Sequence, residues 1–231
     1  MLNNNIITID GPASSGKGTV ARLLAKKLNF DYLDSGAIYR AVAYLADIHN
    51  LIEDAKIDIS QLLILIKNNF VLKFDSSGLV YLNDEEVSSK LRLEKIGNLA
   101  SNIAKDKQIR ESLLDYQHFF AKNAAIGLVT DGRDMGSVVF KNAKLKIFLT
   151  ASIESRLERR LKQLQENSKS GIIAPILHDV IRRDILARDR QDSLRDTAPL
   201  GYDSSYHFLD NTDLTIDETV LYIIDLYHTI N

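Results

Sequence analysis

A glycine-rich loop near the amino terminus, between an apolar segment and an amphipathic one, most strongly constrains the fold. The segment "NIITIDG" predicts a buried strand, because β-branched residues run through it up to a glycine turn. After the loop, "TVARLLAKKLN" predicts a helix whose apolar face is formed by Val20, Leu23, Leu24 and Leu28. The intervening "GPASSGKGT" at 11–19 matches G-x-x-x-x-G-K, the pattern of loops that hold phosphate with backbone N–H groups.

The loop departs from the common phosphate-loop pattern at one position. Gly18 stands where serine or threonine usually follows the lysine, and the hydroxyl comes one residue later, at Thr19. A missing side chain at the start of the helix lets a second phosphate-bearing ligand, or a neighbouring loop, approach the backbone. This form suits a protein that holds two phosphorylated molecules close together. The residues predicted to bind nucleotide phosphates are Gly11, Ser14, Ser15, Gly16, Lys17, Gly18 and Thr19.

The rest of the chain repeats the alternation of apolar strands and helices. Further strands are predicted in "FDYLD", "GLVTDG" at 127–132, "KLKIFLT" at 144–150 and "YHFLDN". Helices are predicted in "GAIYRAVAYLAD", "SIESRLERRLKQLQ", about 175–190, and "TIDETVLYIIDLYHTI", where Thr215 and Glu218 form a capping box. This alternation predicts an α/β fold, a parallel sheet of the P-loop NTPase type with helices on both faces.

A segment beyond residue 60 interrupts this alternation. "FVLKF", a Ser-Ser-Gly turn at 76–78 and "LVYLN" predict an antiparallel hairpin, with "EEVS" as a third short strand. Two helices are predicted to follow, at about 90–104 and 106–122. Because a parallel sheet does not need these elements, we interpret the segment as an insertion.

Composition restricts the classes of function that the chain can serve. With 231 residues, 45% of them apolar, the chain can bury a sizeable core. The net charge of −2 gives no electrostatic indication of a nucleic-acid or anionic-membrane partner. No cysteine is present, so disulfides and thiolate metal sites are excluded. The first ten residues lack a basic segment, and no apolar run approaches membrane length, so we expect a cytoplasmic protein without a signal peptide.

A cluster of charges in "VTDGRDMG" at 129–136 follows the end of a predicted strand. The carboxyl ends of parallel strands are where α/β proteins place ligands. Asp131 is a candidate to hold Mg²⁺ through water, Arg133 to bind a phosphate, and Asp134 to contact a base. We favour these functional roles over a merely solvated turn.

The carboxyl-terminal third contains a basic segment that supports three interpretations. Residues 156–195 hold ten lysines and arginines against six acidic residues, and "ARDRQDSLRDTAPL" alternates arginine with aspartate. Such a segment is commonly a salt-bridged helix face, and less commonly a nucleic-acid surface, although interleaved acids and a lack of aromatics oppose the latter. The third interpretation is a mobile lid that closes arginines over phosphates, with the polar "ENSKSG" as its hinge.

Together, "TIDGPASSGKGT", "LDSGAIYR", "DGRDMG" and the terminal R…D…R…APL pattern resemble the bacterial cytidylate kinases, from about Ile6 to Asn211. The resemblance implies an enzyme of pyrimidine nucleotide metabolism that phosphorylates CMP and dCMP with ATP and Mg²⁺. It implies a core at 1–34, 123–155 and 200–231, a nucleoside monophosphate (NMP) binding region with inserted antiparallel strands at 35–122, and an Arg-rich lid at 156–199.

The resemblance also implies roles for single residues. The implied CMP site comprises Ser35, Arg40, Ser101, Arg110, Arg133, Asp134, Arg188, Asp192 and Arg195. The implied catalytic residues, which act by charge and position, are Lys17, Arg133, Arg188 and Arg195. Thr19 and Asp131 are the expected Mg²⁺ contacts, directly or through water. Arg156, Arg159 and Arg160 lie where the lid begins, and which of them contacts ATP stays open.

Other functions remain open at this point. A related kinase with UMP, AMP or shikimate as the acceptor would share the loop, although "DGRDMG" and the long insertion oppose it. A nucleotide-dependent switch would be expected to carry an NKxD guanine-binding element, which the sequence lacks. A nucleic-acid-binding domain would have to bind through 156–195. We expect a monomer whose partners are CMP, dCMP and ATP, with neither nucleic acid nor membrane.

Overall fold

The computed structural model describes residues 5–54, 56–75, 78–167 and 176–230. The chain forms two compact units, one made of Met1–Leu33 with Phe120–Asn231 and the other of Asp34–Phe119. Residues 76 and 77 of the predicted turn, most of the predicted hinge "ENSKSG", and the predicted helix start at 175 lie outside the described residues. The division into core, NMP-binding region and lid stays a prediction.

Strands and helices alternate along most of the described chain. The strands are β1 (Ile6–Asp10), β2 (Asp31–Asp34), β3 (Ile52–Glu53), β4 (Lys56–Ile57), β5 (Leu72–Phe74), β6 (Val80–Leu82), β7 (Glu85–Glu86), β8 (Leu128–Gly132), β9 (Leu145–Thr150) and β10 (His207–Asp210). The helices are α1 (Lys17–Leu28), α2 (Ser35–Ile48), α3 (Ile59–Asn69), α4 (Ser88–Leu91), α5 (Glu94–Ile103), α6 (Lys107–Asn123), α7 (Ile153–Asn167), α8 (Ile176–Leu194) and α9 (Ile216–Thr229). A π-helical turn covers Met135–Val139.

The central sheet has the strand order β10-β9-β1-β8-β2, and the predicted α/β fold with a parallel sheet is confirmed. In the parallel register, Ile7 lies opposite Val129 on one side and Leu145 on the other. Every residue of β1 is buried, as expected for a strand covered on both faces. This central position places the glycine-rich loop, which follows β1, at the carboxyl edge of the sheet.

Helices α1 and α9 pack against the strands through a shared apolar core. The predicted apolar face of α1 is confirmed, because Val20 and Leu24 are fully buried and Leu23 and Leu28 pack against the same cluster. Helix α9 begins at the predicted capping box, in which the Glu218 N–H donates to the Thr215 hydroxyl and the Thr215 N–H donates to the Glu218 carboxylate. This reciprocal pair satisfies two backbone N–H groups and determines where α9 starts.

The second unit contains the insertion. Strands β5, β6 and β7 form the predicted antiparallel sheet, although the third strand is only Glu85–Glu86. The sequence did not predict the β3–β4 pair or helix α3, whose buried Leu62 and Ile66 lie one turn apart. A short apolar run such as "LLILI" fits a strand as well as a helix, so its periodicity does not identify α3. The predicted helix at 90–104 is divided into α4 and α5.

Candidate active site

The glycine-rich loop between β1 and α1 is shaped by close contact with the neighbouring strand. A Cβ on Gly11 would lie 2.0 Å from the backbone oxygen of Leu149 in β9, so only glycine lets the chain pass there. Gly16 precedes α1 with a φ of 88°, a left-handed conformation that glycine adopts without strain. Within the described residues no side chain caps α1, so its first N–H groups are left to face a ligand.

The carbonyl groups of the loop are held by basic and amide side chains. Lys17 donates to the Pro12 oxygen at 3.0 Å, and Arg156 donates to the Ala13 oxygen at 3.1 Å. The Ser15 oxygen accepts from Arg159 at 3.0 Å and from Asn211 at 3.2 Å. With its acceptors satisfied in this way, the loop presents donors to a ligand, as binding of an anion requires.

Two loop side chains show where the ligand would lie. The Ser15 hydroxyl is buried, and no described residue hydrogen-bonds to it. Lys17 is also buried, and burial, followed by the positive charge of Arg133, lowers its pKa to about 7, while Asp131 acts in the opposite direction. A buried hydroxyl and a buried ammonium group in a loop rich in N–H donors fit the phosphates of a nucleotide.

Gly18 faces a buried carboxylate. A Cβ at this position would lie 3.6 Å from Asp131 Oδ2 and 3.8 Å from the Tyr32 hydroxyl. Tyr32 donates to Asp131 Oδ1 at 2.7 Å and so holds the carboxylate against the start of α1. Thr19, by contrast, is exposed. The sequence did not predict a role for Tyr32, because a tyrosine in a short strand carries no functional signal by itself.

The residues at this position fit Mg²⁺ in its usual form of binding. Within the described ranges, no group of three or more histidine, cysteine or acidic side chains is arranged to hold a metal. Mg²⁺ is commonly held by one or two carboxylates together with waters and substrate phosphates, rather than by a cage of protein ligands. Asp131, a hard oxygen donor beside the phosphate loop, meets that requirement.

A buried aspartate organises the segment that follows β8. Asp10 accepts from the N–H groups of Met135 and Gly136, both at 2.8 Å, and from the Tyr206 hydroxyl at 2.8 Å. Burial raises the pKa of Asp10 although these hydrogen bonds oppose the rise. Met135 and Gly136 directly follow Asp134, so Asp10 determines the backbone path on which Asp134 is placed. The feature by which the sequence could have identified Asp10 is its charge, which stands at the end of an otherwise uncharged, buried strand.

Two predicted site residues, Asp192 of α8 and Arg195 just beyond it, pair with the segment after β8, whereas Arg188 acts by charge on Asp192 and Lys17. Arg133 Nε lies 2.6 Å from Asp192 Oδ2, and Arg195 Nη2 lies 3.6 Å from Asp134 Oδ1. Burial would raise the pKa of Asp192, but Arg133, with Arg188 and Arg195, lowers it below its ordinary value. The structure therefore brings together a cluster of alternating charge with these members: Lys17, Asp131, Arg133, Asp134, Arg188, Asp192 and Arg195.

The remaining predicted CMP residues lie in the second unit, around α2 and α5. Arg40 donates to the Leu91 oxygen at 2.7 Å, and a Cβ on Gly97 would lie 3.1 Å from its Nη1, so the glycine leaves room for the guanidinium group. The Ser101 hydroxyl donates to the Gly97 oxygen at 3.2 Å. The Arg40 guanidinium group and the Ser101 hydroxyl thus both lie next to Gly97 of α5.

Arg110 and Ser35 complete this group. The buried Arg110 donates to the Ala104 oxygen at 3.2 Å, and its guanidinium carbon lies 5.5 Å from the centre of the Tyr39 ring. The buried Ser35 begins α2, whose amino terminus is capped by the Asp34 carboxylate accepting from the Ala37 N–H at 2.9 Å. Buried arginines and serines in such positions are suited to binding a polar ligand.

The three arginines at the start of the predicted lid differ in what they contact. Arg156 and Arg159 bind the backbone of the phosphate loop, whereas Arg160 donates to Gln163 at 2.8 Å on the surface.

Among the helices of the described ranges, none combines the length and the apolar character needed to cross a bilayer.

A central strand that leads through a glycine-rich loop into a helix beginning with a buried lysine defines a P-loop protein. Among P-loop proteins, the chain belongs to the cytidylate kinase family, whose sequence model matches residues 7–229. The chain is similar to the cytidylate kinase of Nitrosomonas europaea, with 43% identity over 97% of this chain and 96% of that protein. It is also 42% identical to the cytidylate kinase of Ralstonia nicotianae, over 97% of this chain and 93% of the relative.

Among solved structures, the chain is similar to the shikimate kinase of Acinetobacter baumannii. The TM-score is 0.41 and the sequence identity 14%, over 97% of this chain and 93% of that one. At this level of similarity nothing about the acceptor follows. The family match makes the protein a kinase.

Proposed function

We propose that the protein transfers the γ-phosphoryl group of ATP to the phosphate of CMP or dCMP, forming ADP and CDP or dCDP. The observation that carries this proposal is the cluster of alternating charge beside the phosphate loop, in a chain of the cytidylate kinase family. The cluster joins a phosphate-binding lysine to paired arginines and aspartates in one unit of the fold. Such an arrangement suits two phosphate-bearing substrates better than one.

The donor is proposed to bind with its phosphates in the glycine-rich loop. Backbone N–H groups from the loop and the start of α1, together with the Ser15 hydroxyl, would surround the phosphates. Lys17 would place its charge on the terminal phosphates. Mg²⁺, when bound, would neutralise charge between the β- and γ-phosphates, and Asp131 would hold it, directly or through water. Asp131 is the stronger of the two proposed metal contacts, because it is a carboxylate held against the start of α1, and Thr19 is the other.

The acceptor is proposed to be recognised by its phosphate and its base. Arg40 and Arg133 would bind the phosphate, for which a planar guanidinium offers two parallel donors. Asp134 would accept from the N4 amino group of cytosine, while Arg110 and Ser101 donate to the ring acceptors. Uracil would place a carbonyl against the carboxylate of Asp134 and leave buried polar groups unpaired, so it should be rejected strongly. Ser35 is proposed on the acceptor side, and Asp192 at the ribose.

The chemistry is proposed to need no nucleophilic side chain and no general base. The phosphate oxygen of CMP is already anionic, so a bond from it to the γ-phosphorus forms as the bond to the bridging oxygen of ADP breaks. The catalytic residues Lys17, Arg133, Arg188 and Arg195 would hold the two phosphates in line and stabilise the charge that develops between them. Closure of the proposed lid would exclude water, which would otherwise accept the phosphoryl group.

A coupled assay of ADP release with ATP and Mg²⁺ tests the proposal. CMP, dCMP, UMP, AMP, GMP and shikimate are compared as acceptors, with ATP alone as the blank. We expect fast turnover confined to CMP and dCMP, and little ADP from ATP alone. Turnover with another acceptor would contradict the proposed role of Asp134. We also propose that the protein is a monomer, and sedimentation of the same preparation tests this. We expect it to act in the cytoplasm, without nucleic-acid or membrane partners.

A further inference from the structure

We propose that Asp189 and Arg156 are positioning residues that hold the peptide groups of Ala13, and with them the phosphate loop, in the conformation that receives the donor nucleotide. The N–H of Ala13 donates to Asp189 Oδ1 at 2.9 Å. The carbonyl oxygen of the same residue accepts from Arg156 Nη1 at 3.1 Å. Both backbone polar groups of one loop residue are therefore held by side chains from elsewhere in the fold.

The two side chains also form an ion pair with each other. Arg156 Nη1 donates to Asp189 Oδ2, and Arg156 Nε donates to the Ala151 oxygen at 3.1 Å. The side chains are 9% and 18% exposed, so water competes little for these hydrogen bonds. Arg156 belongs to the first turn of α7 and Asp189 to α8, so the pair joins both helices to the loop.

The two side chains of the pair cancel each other's charge. A carboxylate beside a loop that binds polyphosphate would repel the ligand if it were alone. Arg156 neutralises Asp189 and completes its hydrogen bonding, so the pair offers the donor little net charge. Its contribution is then geometric, which distinguishes Arg156 from an arginine that contacts ATP.

The pair acts on the donor side of the reaction, because Ala13 belongs to the loop proposed to bind ATP. The inference rests on that part of the proposed function and is independent of which acceptor is used. Removing either member alone should have unequal effects. Removing Arg156 leaves the Asp189 carboxylate without its ion-pair partner beside the phosphates of the donor. Removing the charge of Asp189 weakens one hydrogen bond to the loop and leaves no unpaired negative charge there.

The test uses three variants: Asp189→Asn, Arg156→Gln, and the double variant that carries both substitutions. The matched control is Asp184→Asn, at an exposed aspartate of α8. Calorimetric titration with Mg²⁺ and ATP gives the Kd for the donor, and initial rates give the KM for CMP. We expect Arg156→Gln to raise the Kd for ATP on the order of a hundredfold, and Asp189→Asn about fivefold. The double variant should bind ATP more tightly than Arg156→Gln alone. The KM for CMP should change less than about threefold, which is the scale of a neutral substitution.

Three results would overturn the proposal: normal ATP affinity in both single variants, a double variant at least as impaired as Arg156→Gln, or equal losses for ATP and CMP. If Arg156→Gln does not fold, Arg156→Lys replaces it, since it keeps the charge but not the planar fork, and a loss confined to ATP is again expected. Failure of the proposed function is distinguishable, because wild-type protein would then bind ATP and respond to these substitutions while phosphorylating no cytidine nucleotide.

Discussion

Lys17 shows how far the surroundings of one residue change its chemistry. An ordinary lysine has a pKa near 10.4, but burial and the charge of Arg133 lower that of Lys17 to about 7. The free protein therefore holds Lys17 close to the midpoint of its titration at neutral pH. A bound phosphate would favour the charged form and raise the pKa. Donor binding should then be coupled to protonation of this one side chain.

Replacing Lys17 with alanine should remove both phosphoryl transfer and this coupling. We expect kcat to fall by at least about a hundredfold, while the protein stays folded, because Asp131 keeps its hydrogen bond from Tyr32 and Asp192 keeps its pairing with Arg133. In wild-type protein at about pH 8, where free Lys17 is mostly neutral, ATP binding should take up protons, and affinity should fall as the pH rises from about 7. Calorimetric titration in two buffers of different ionisation enthalpy measures the proton uptake.

The alanine variant is also the control for protons exchanged by ATP itself. Uptake by Lys17→Ala should be smaller than uptake by wild type at the same pH. Equal uptake in both proteins would show that Lys17 is not the group that titrates.

Asp134 is the residue on which recognition of cytosine is proposed to depend. We expect Asp134→Ala to raise the KM for CMP on the order of a hundredfold, since the amino group of the base loses its acceptor. The Kd for ATP should stay within about threefold of wild type. Steady-state kinetics with CMP and titration with ATP measure the two effects. Equal losses for both ligands would indicate that Asp134 serves the structure through its pairing with Arg195 instead.

Elements meet at the phosphate loop with almost no spare room. The loop passes β9 so closely that a methyl group on Gly11 would collide with the backbone oxygen of Leu149. That oxygen belongs to a strand in the middle of the sheet and cannot withdraw without disturbing the parallel register. The conformation of the loop is therefore tied to the position of the strand, as well as to its own glycines.

Gly11→Ala should consequently damage both stability and donor binding. We expect the free energy of unfolding to fall by about 1–3 kcal/mol through overpacking, and the affinity for ATP to fall with it. Gly201→Ala is the matched control, because a Cβ there meets no atom within 4 Å. Denaturant unfolding and ATP titration are the measurements. A Gly11→Ala variant that behaves like the control would refute the steric argument.

For the molecule as a whole, two buried aspartates make opposite contributions to the dependence of stability on pH. Burial raises the pKa of Asp10, so the folded state holds that proton more tightly than the unfolded state, and stability rises as the pH falls toward about 4. The arginines around Asp192 lower its pKa against the effect of burial, so its contribution is present above about pH 4 and lost below it. The two effects together predict greatest stability at mildly acidic pH.

Asp192→Asn should flatten the acid limb of this profile. We expect the Tm of wild-type protein to fall more steeply than that of the variant between about pH 4 and pH 2. Thermal unfolding in a series of buffers of constant ionic strength measures both curves. If the curves stay parallel through this range, Asp192 is not the group whose protonation destabilises the protein.

The outcome for particular residues shows which parts of the site could be predicted. The sequence could propose the loop residues 11–19 because their pattern is contiguous, and Arg133 and Asp134 because they follow a strand end; their binding roles stay predictions. Asp10, Tyr32 and Asp189 were missed, since each acts through a partner far along the chain. In the second unit, α3 was missed because its apolar run is too short to distinguish helix from strand.

By itself, the sequence determined the strand, loop and helix at the phosphate site, the parallel α/β alternation and the family motifs. These depend on local periodicity, on glycine and on caps, all of which are written in neighbouring residues. Only the tertiary structure decided which charges meet. Arg133 pairs with Asp192 at a separation of 59 residues, Asp10 binds Met135 across 125, and Asp189 reaches Ala13 across 176. The residues around an aspartate in a helix form the same local pattern whether it faces water or a buried partner. Tertiary packing therefore determines whether such an aspartate is exposed or paired.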